Sequence, residues 1–376
     1  MKFNVPSKTL YSYVSAVSKI INPKNTLTVL NNFLLTLTGE QLTIRASDME
    51  NSLEARLTVS EPEGEGEYCI DARRLVDLLK EMPDQGITFE IHEDNLMVDI
   101  TYPNGTYNLV AINGREYPRP DEKSDSTQES ISFTTKASYL IRGIDNSIFA
   151  VGSDALRPIM SGILWDIKKD RMIFVATDTH KLVRFSDSNI VPGVDGSVVI
   201  PVKTATVFKN AFAKEEEVTV TANSKNITLE SAAFTFKSVL VKGTFPDYNR
   251  VIPTNNPYVL TVDRVSFLNA VRRVGTFVSA DHGLVKFNIA PELLTLRATD
   301  NNYCISARES VVCSFSGNDM TMGFSAPYLI EISNVIPTTE LIIKLADPSR
   351  PGVFLPMENK DNTELLILLM PMAVID

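Results

Sequence analysis

The sequence predicts an α+β protein built from three similar domains, each with two helices packed on antiparallel sheets. Three observations carry that prediction. The chain is 376 residues long, one strand-and-turn segment occurs three times, and the same order of strand and helix patterns surrounds each copy. Domains of about 100–150 residues make two or three separate cores the expectation for a chain of this size. Hydrophobic residues make up 44% and charged residues 22%, an ordinary globular balance rather than a disordered one.

The repeated segment reads Leu42-Thr-Ile-Arg-Ala-Ser-Asp48, Met172-Ile-Phe-Val-Ala-Thr-Asp178 and Leu294-Thr-Leu-Arg-Ala-Thr-Asp300. Each copy alternates apolar and polar residues, as a half-buried strand does, and ends in Ala-Ser/Thr-Asp. The Asp residues lie 130 and then 122 positions apart. That interval is too long for a solenoid period and suits one whole domain. A second strand pattern follows each copy, over 52–59, 181–186 and 303–310.

The flanks repeat in the same order. Upstream, strand patterns at 3–7, 131–135 and 258–262 lead into helix patterns at 8–21, 136–149 and 263–278. In the first of these helices Leu10, Val14, Val17 and Ile21 share one face. Downstream, short strands at 68–70, 198–200 and 322–324 lead into helices at 71–82, 202–213 and 326–336. Further alternating strands, such as 218–221 and 226–229, close the units. The joints are alike too: Gly114-Arg-Glu-Tyr117-Pro118 and Gly243-Thr-Phe245-Pro246-Asp247-Tyr248. The polar stretch 121–129 reads as a linker. The expected domains are therefore 1–121, 129–253 and 254–376.

Composition narrows the function classes. The opening residues lack a basic stretch followed by an apolar one, so no secretory leader is expected. The longest apolar run, 365–375, contains Pro371 and is too short to cross about 30 Å of hydrocarbon. A cytoplasmic location is expected. Cys69, Cys304 and Cys313 contain no C-x-x-C pair, which supports neither a disulfide framework nor a thiolate metal site. They read as three small buried or half-buried residues.

The net charge of −10 and pI near 5.0 argue, taken alone, against a nucleic-acid partner. The distribution of charge says otherwise. The windows 7–21, 71–82, 136–148, 202–213, 263–279 and 326–336 hold twelve basic and six acidic residues, a net +6 that leaves −16 elsewhere. Such segregation fits helices facing a polyanion while the sheets carry an acidic exterior, which holds a duplex without reading bases. It also fits helix surfaces that merely tolerate Lys and Arg.

No catalytic constellation can be assembled. His92, His180 and His282 fall one per domain with no metal-ligand spacing. Asp178-Thr-His180 supplies a carboxylate and an imidazole, but the sister copies read Asp48-Met-Glu and Asp300-Asn-Asn. The shared Asp reads more simply as a turn residue. No phosphate-cradling glycine loop, nucleophile elbow or zincin motif occurs, and Glu215-Glu216-Glu217 reads as a solvated charge run. Neither an enzyme activity, a cofactor nor a metal is expected.

The triple repeat, Ala176-Thr-Asp-Thr-His180-Lys-Leu182, Phe245-Pro-Asp-Tyr248 with Arg250-Val251, and the terminal Met370-Pro-Met372 together resemble the bacterial beta sliding clamp family of the replicative DNA polymerase. The resemblance covers the whole chain in order. It implies the DNA clamp fold and a non-catalytic processivity factor for DNA replication. It further implies a head-to-tail homodimer: a six-domain ring with about twelve helices lining a hole that encircles duplex DNA. It also implies a hydrophobic pocket between the second and third domains, which captures short motifs of roughly Gln-x-x-Leu-Phe type. Those motifs belong to polymerases, the clamp loader and repair proteins.

Carried over position by position, that pocket would use Arg157, Ile159, Met160, Thr177, His180, Lys181, Leu182, Pro246, Arg250, Val251, Tyr328, Met370, Pro371 and Met372. Adaptable Met side chains and apolar walls with a few polar groups suit an extended peptide. Lys24 and Lys203 match family positions that touch the duplex, and Arg73, Arg74, Lys136, Arg142 and Lys209 are expected to face DNA from the helices. Tyr107 and Leu109 are expected to meet the region of Phe277 across the dimer contact, with Arg272 and Arg273 at that seam or at the lining. Lys181 stands where the family often has Arg, Pro158 where it has an aromatic near DNA, and 373–376 in place of a basic-apolar tail. From the residues alone, a peptide-binding scaffold without a nucleic-acid role and an enzyme centred on Asp178 and His180 stay open as alternatives.

Overall fold

A computed structural model describes residues 1–22, 24–119, 130–279, 283–300 and 302–374. The expected linker 121–129, His282 and the final residues Ile375 and Asp376 lie outside the described residues. The chain forms two compact units. One comprises Met1–Ile141 with Lys203–Leu240, the other Arg142–Val202 with Val241–Asp376.

The first unit holds two antiparallel sheets. A five-stranded sheet runs in the order Ser60–Glu63, Lys2–Pro6, Gly86–Ile91, Met97–Tyr102, Gly105–Val110. A nine-stranded sheet contains Gly66–Asp71, Asn32–Thr38, Gln41–Ser47 and Asn51–Thr58, and continues through Phe234–Val239, Asn226–Glu230 and Glu217–Ala222 to Ile131–Lys136. The join between the first and second repeats is thus a strand pairing, with Leu53 opposite Phe236. One core runs across that join. Tyr13 packs on Phe234 at 5.7 Å between ring centroids, Phe234 on Phe212 at 5.6 Å, and Phe212 on Phe208 at 4.7 Å. Aromatic pairs of this spacing add to simple area burial.

The second unit is built on a twelve-stranded sheet. Gly162–Lys168, Arg171–Thr177 and Lys181–Asp187 continue into Thr363–Leu369, Gly352–Pro356, Glu340–Leu345 and Tyr258–Asp263, with further strands beyond at both ends. Lys181 to Asp187 pair in unbroken register with Leu369 to Thr363. Trp165 stacks edge-on to Phe174 at 5.7 Å, and Phe267, Phe287, Phe324 and Phe354 form a chain of ring contacts. Because each unit shares a sheet and a core across a repeat boundary, the middle repeat is divided between the two. This is why three look-alike sequence repeats give two compact bodies.

The six expected helices are present: α1 (Ser7–Val17), α2 (Ala72–Glu81), α3 (Ala137–Asp145), α4 (Val202–Ala211), α5 (Arg264–Val274) and α6 (Ala326–Val335). Local chemistry sets their starts. The Asp71 carboxylate accepts the Arg74 N–H at 2.8 Å, and the Asp263 carboxylate accepts the Ser266 N–H at 2.8 Å. These are N-cap bonds that satisfy otherwise orphaned donors. α1 packs on α2, and α5 on α6.

The sequence windows for α1, α3 and α5 run too long for one physical reason. Each helix ends early and hands over to a 3-10 turn, at Ser18–Ile20, Ile148–Ala150 and Gly275–Phe277. The tighter spacing of that turn shifts the apolar face by one residue. Ile20, not Ile21, is therefore fully buried behind Leu10, Val14 and Val17. In the third repeat the second strand begins at Ile305 and extends to Phe315, later and longer than its alternation suggests. Among the cysteines, Cys69 is buried and Cys313 half-buried, but Cys304 is exposed, against the expectation for all three. Among the described residues, no helix is long and apolar enough to cross a membrane.

Candidate functional site

The repeated Asp builds the same turn in the first two repeats. The Asp178 carboxylate accepts the backbone N–H groups of His180 at 2.9 Å and Lys181 at 2.8 Å. The Asp48 carboxylate does the same for Glu50 at 3.1 Å and Asn51 at 2.7 Å. The preceding hydroxyl repeats as well: Thr177 donates to the Lys181 carbonyl at 2.8 Å, and Ser47 to the Asn51 carbonyl at 2.9 Å. The bonds hold Thr179 at φ 78° and Met49 at φ 77°, left-handed values that a non-glycine residue adopts only when its surroundings require it. In the third repeat Asp300 accepts the Asn302 N–H at 2.9 Å. The Asp is a structural turn residue, and the carboxylate–imidazole reading of Asp178 and His180 has no support in this geometry.

What differs is the residue that closes the turn. In the second repeat it is Lys181, whose side chain is 5% exposed. Its ammonium lies 3.1 Å from Asp178 and 2.7 Å from Glu331 of α6, and 4.1 Å from the centre of the Tyr328 ring. Two carboxylates and an aromatic face compensate a cation that would otherwise be costly to bury. Burial raises the Tyr328 hydroxyl above its ordinary pKa, and the Asp178 charge adds to the shift.

Beside this turn opens a cavity of about 250 Å³. Met160, Thr177, His180, Lys181, Leu182, Pro246, Val251 and Met370, all expected at a pocket, line it. Thr179, Phe245, Asp247, Tyr248, Pro351 and Leu368 line it as well; the first four lie inside the quoted motifs, but none of the six was among the residues expected at the pocket. Ile159 packs against the apolar cluster under the cavity, which contains Leu164, Val175, Leu182 and Leu368. An adjoining cavity of about 370 Å³ shares Met160, Thr179, His180 and Lys181 and adds Arg157, Tyr328 and Glu331. The His180 and Tyr328 rings stack there with centroids 6.2 Å apart.

Three expected residues stand apart from both cavities. Arg250 turns back onto Asp247 at 3.0 Å. Pro371 and Met372 line neither cavity, and the Met372 N–H donates to the Gly323 carbonyl at 2.8 Å. The chain end is thereby tied to the strand Met320–Ser325. A Cβ on Gly323 would lie 2.7 Å from the Met372 carbonyl oxygen, so only glycine admits this approach.

Lys24, Arg73, Arg74, Lys136 and Lys209 are exposed. Arg73 lies 3.7 Å from Asp77, and Lys136 stands over the Tyr139 ring. Lys203 and Arg142 are drawn inward instead. Lys203 pairs with Asp48 and donates to the Ile20 carbonyl at 2.7 Å. Arg142 donates through Nε at 3.1 Å and Nη2 at 2.6 Å to Asp187, whose side chain is fully buried. The α5 cations are likewise engaged, Arg273 with Glu309 and Arg272 with Asn334. Within the observed helix bounds ten basic residues face four acidic ones, so the excess of +6 survives the shorter helices.

Among the described residues, two strand edges lack a pairing strand and carry exposed apolar side chains. Gly105–Val110 ends the five-stranded sheet, with Tyr107 39% and Val110 66% exposed and Leu109 half-buried. Residues 305–312 pair with Leu293–Asp300 along one side, and only 313–315 pair with Tyr258–Asp263 on the other. Val312 is 78% and Phe277 38% exposed. A long open edge with apolar residues invites another strand. Among the described residues, no group of three or more His, Cys, Asp or Glu is placed to hold a metal ion.

Comparison with known proteins agrees with this architecture. Family models match nearly the whole chain in three parts. They are the DNA polymerase III beta subunit N-terminal domain over residues 1–121, the central domain over 134–247 and the C-terminal domain over 249–373. The beta sliding clamp of Pseudomonas aeruginosa is 27% identical over 377 residues, covering all of both chains. That of Treponema pallidum is 26% identical over 99% of each. The crystal structure of the Pseudomonas aeruginosa DNA polymerase III subunit beta superposes with a TM-score of 0.92 at 26% identity over all of both chains. A Bartonella birtlesii sliding clamp bound to griselimycin gives 0.90 at 26% identity, again over all of both chains. With three family models in order over nearly the entire length, the chain belongs to the DNA polymerase III beta subunit family, the non-catalytic sliding clamps of DNA replication.

Proposed function

We propose that two copies of this chain close head to tail into a ring around duplex DNA and tether a polymerase and other DNA-processing proteins by their short hydrophobic motifs. The observation that carries the tethering is the cavity between Leu182, Pro246, Val251, Leu368 and Met370. Its walls are apolar, and the buried Lys181 and the His180 ring stand at one end. A Leu-Phe pair fits the apolar part, and the polar end orients the rest of an extended peptide. Arg157 and Tyr328 in the adjoining cavity serve the residues that precede that pair, with Ile159 supporting the floor. Arg250, Pro371 and Met372 flank the mouth. The three domains are taken as 1–121, 129–253 and 254–376, and the site of action as the cytoplasm.

DNA is held without base readout. Lys24, Arg73, Arg74, Lys136 and Lys209 present exposed charge to phosphates, while Lys203 and Arg142 are held back in internal ion pairs with Asp48 and Asp187. The contact between copies joins the open edge of Gly105–Val110, with Tyr107 and Leu109, to the open 305–312 edge and Phe277 of the other copy. Arg272 and Arg273 lie near that seam. A lining of this kind binds weakly and is screened by salt, so retention is topological.

The test uses closed circular DNA at a salt concentration that removes electrostatic binders. The protein, loaded by its clamp loader, stays on the circle and leaves once the circle is cut. Equal retention on linear and circular DNA sinks the ring reading. A pocket without a nucleic-acid role predicts instead that reversing the charge of Lys24 changes nothing.

A further inference from the structure

The wall of the peptide cavity formed by residues 245–251 is a loop, and most of its hydrogen bonds are internal. The Asp247 carboxylate accepts the Asn249 N–H at 3.2 Å and the Arg250 Nε–H at 3.0 Å, and the Tyr248 carbonyl accepts the Val251 N–H at 3.3 Å. Among the described residues, one hydrogen bond ties residues 243–252 to the sheet beneath. The Tyr248 hydroxyl donates to Asp166 at 2.8 Å. Asp166 sits on the strand Gly162–Lys168, its side chain 13% exposed, and its other oxygen receives the Lys168 ammonium at 2.8 Å.

Tyr248 spans two cavities. Its ring, 8% exposed, belongs to the apolar cluster with Leu182 and Leu368 and lines the peptide cavity. Its hydroxyl end opens into a separate polar cavity of about 470 Å³ on the far side, where Asp166, Lys168 and Arg184 stand. The ring lies between the two cavities, and its far end is held by the bond to Asp166. Pro246 and Val251 stand on either side of it in the chain and line the peptide cavity with it. Burial and the Asp166 carboxylate both push the Tyr248 hydroxyl above its ordinary pKa, so it stays a donor.

We infer that Asp166, with Lys168 behind it, is a positioning residue for partner-peptide capture. It touches no peptide, but it fixes the Tyr248 ring and so holds the Pro246–Val251 wall at the width that grips an apolar side-chain pair. This rests on the peptide-pocket reading above. A wall held in place before binding spares the ordering cost that a loose wall incurs at each encounter.

The test measures binding of a fluorescent Gln-x-x-Leu-Phe-type peptide to the full-length chain, together with its melting temperature. Asp166→Leu and Tyr248→Phe each weaken binding about fivefold to tenfold, as expected for one lost charge-assisted hydrogen bond. The double variant loses no more than either single one, because both act through the same bond. Asp166→Asn, whose amide oxygen still accepts from the phenol, stays within about twofold of the original chain. Met370→Ala serves as the control for the pocket. If Met370→Ala weakens binding while Asp166→Leu leaves it unchanged, or if the losses of Asp166→Leu and Tyr248→Phe add, the positioning role is wrong. If Met370→Ala also leaves binding unchanged, the peptide-pocket reading itself falls.

Discussion

Replacing Arg142 by Met separates a structural cation from a DNA-facing one. In the structure its guanidinium makes two bonds, at 3.1 and 2.6 Å, to the Asp187 carboxylate, which is fully buried. Removing the cation leaves that carboxylate with the Asn189 backbone N–H at 2.9 Å and the Asn189 side-chain amide at 2.7 Å. A buried charge deprived of its partner typically costs 3–5 kcal/mol, and the two surviving donors place this case near about 3 kcal/mol. Trp165 is the chain's one tryptophan. It is fully buried in the same unit and packs edge-on to Phe174, so its fluorescence reports this unit's unfolding. At a denaturant slope of about 2 kcal/mol per molar urea, the midpoint should fall by about 1.5 M. Asp187→Asn, which keeps an acceptor for Arg142, should fall by roughly half as much. The salt dependence of DNA binding should hardly move. A midpoint drop below about 0.3 M, with a salt slope reduced by about one, would place Arg142 on phosphate and overturn the structural assignment.

Other outcomes follow from the same geometry. Gly143→Ala puts a Cβ 2.3 Å from the Phe174 ring, and overpacking of that kind should cost about 1–3 kcal/mol in the Trp165 unfolding curve. Thiol labelling of the native chain at pH 8 should modify Cys304 and spare Cys69. Burial pushes the Cys69 thiol up to about 12, so it has almost no thiolate to react until the unit unfolds. Because Cys313 is only half-buried, fast labelling of all three thiols is the result that would show the Cys69 environment to be open. Lys181→Met should weaken the peptide about tenfold, since the polar end of the cavity then holds two carboxylates without their cation, and titration of a labelled motif will show it. Charge reversal at Lys24 should reduce the salt slope of loose DNA binding by about one, with circular retention under a loader as the functional readout.

The fold was legible in the sequence to the extent that alternation and periodicity are local. The three Ala-Ser/Thr-Asp segments sit at strand ends as expected, and their Asp residues make the turns that their type suggests. The helix starts fell within a residue or two because Asp71 and Asp263 cap them. The ends of α1, α3 and α5 did not, because a 3-10 turn and a continuing helix share the same apolar residues until the spacing tightens. The division into two bodies was not legible, since it depends on Asn51–Thr58 meeting Phe234–Val239 and Lys181–Asp187 meeting Thr363–Leu369, pairings of strands far apart in the chain.

The cavity shows the same limit. His180, Lys181 and Leu182 drew attention through a motif, and Met370 through its resemblance to a family pattern. Leu368 looked like one more residue of an apolar run, and only the register that sets it opposite Leu182 brings it to the cavity. Tyr248 lay inside the quoted joint motif, where it marks only the close of a unit. Its partner Asp166 lies 82 positions earlier. Glu331 gave no signal at all, because nothing in α6 says that its carboxylate will meet a buried ammonium from another repeat.

The pairing of Lys181–Asp187 with Thr363–Leu369 also constrains how the chain can be cut or spliced. A fragment that stops after the central family segment would leave one whole edge of the strand Lys181–Asp187 without its partner, beside the apolar face of Leu182. Such a raw selvedge recruits whatever strand is nearby, usually a second copy of itself. The three segments that sequence comparison separates cleanly are therefore poor scissors lines for the folded molecule. Fragments that keep 142–202 together with 241–376 should stay soluble where a tidy third does not.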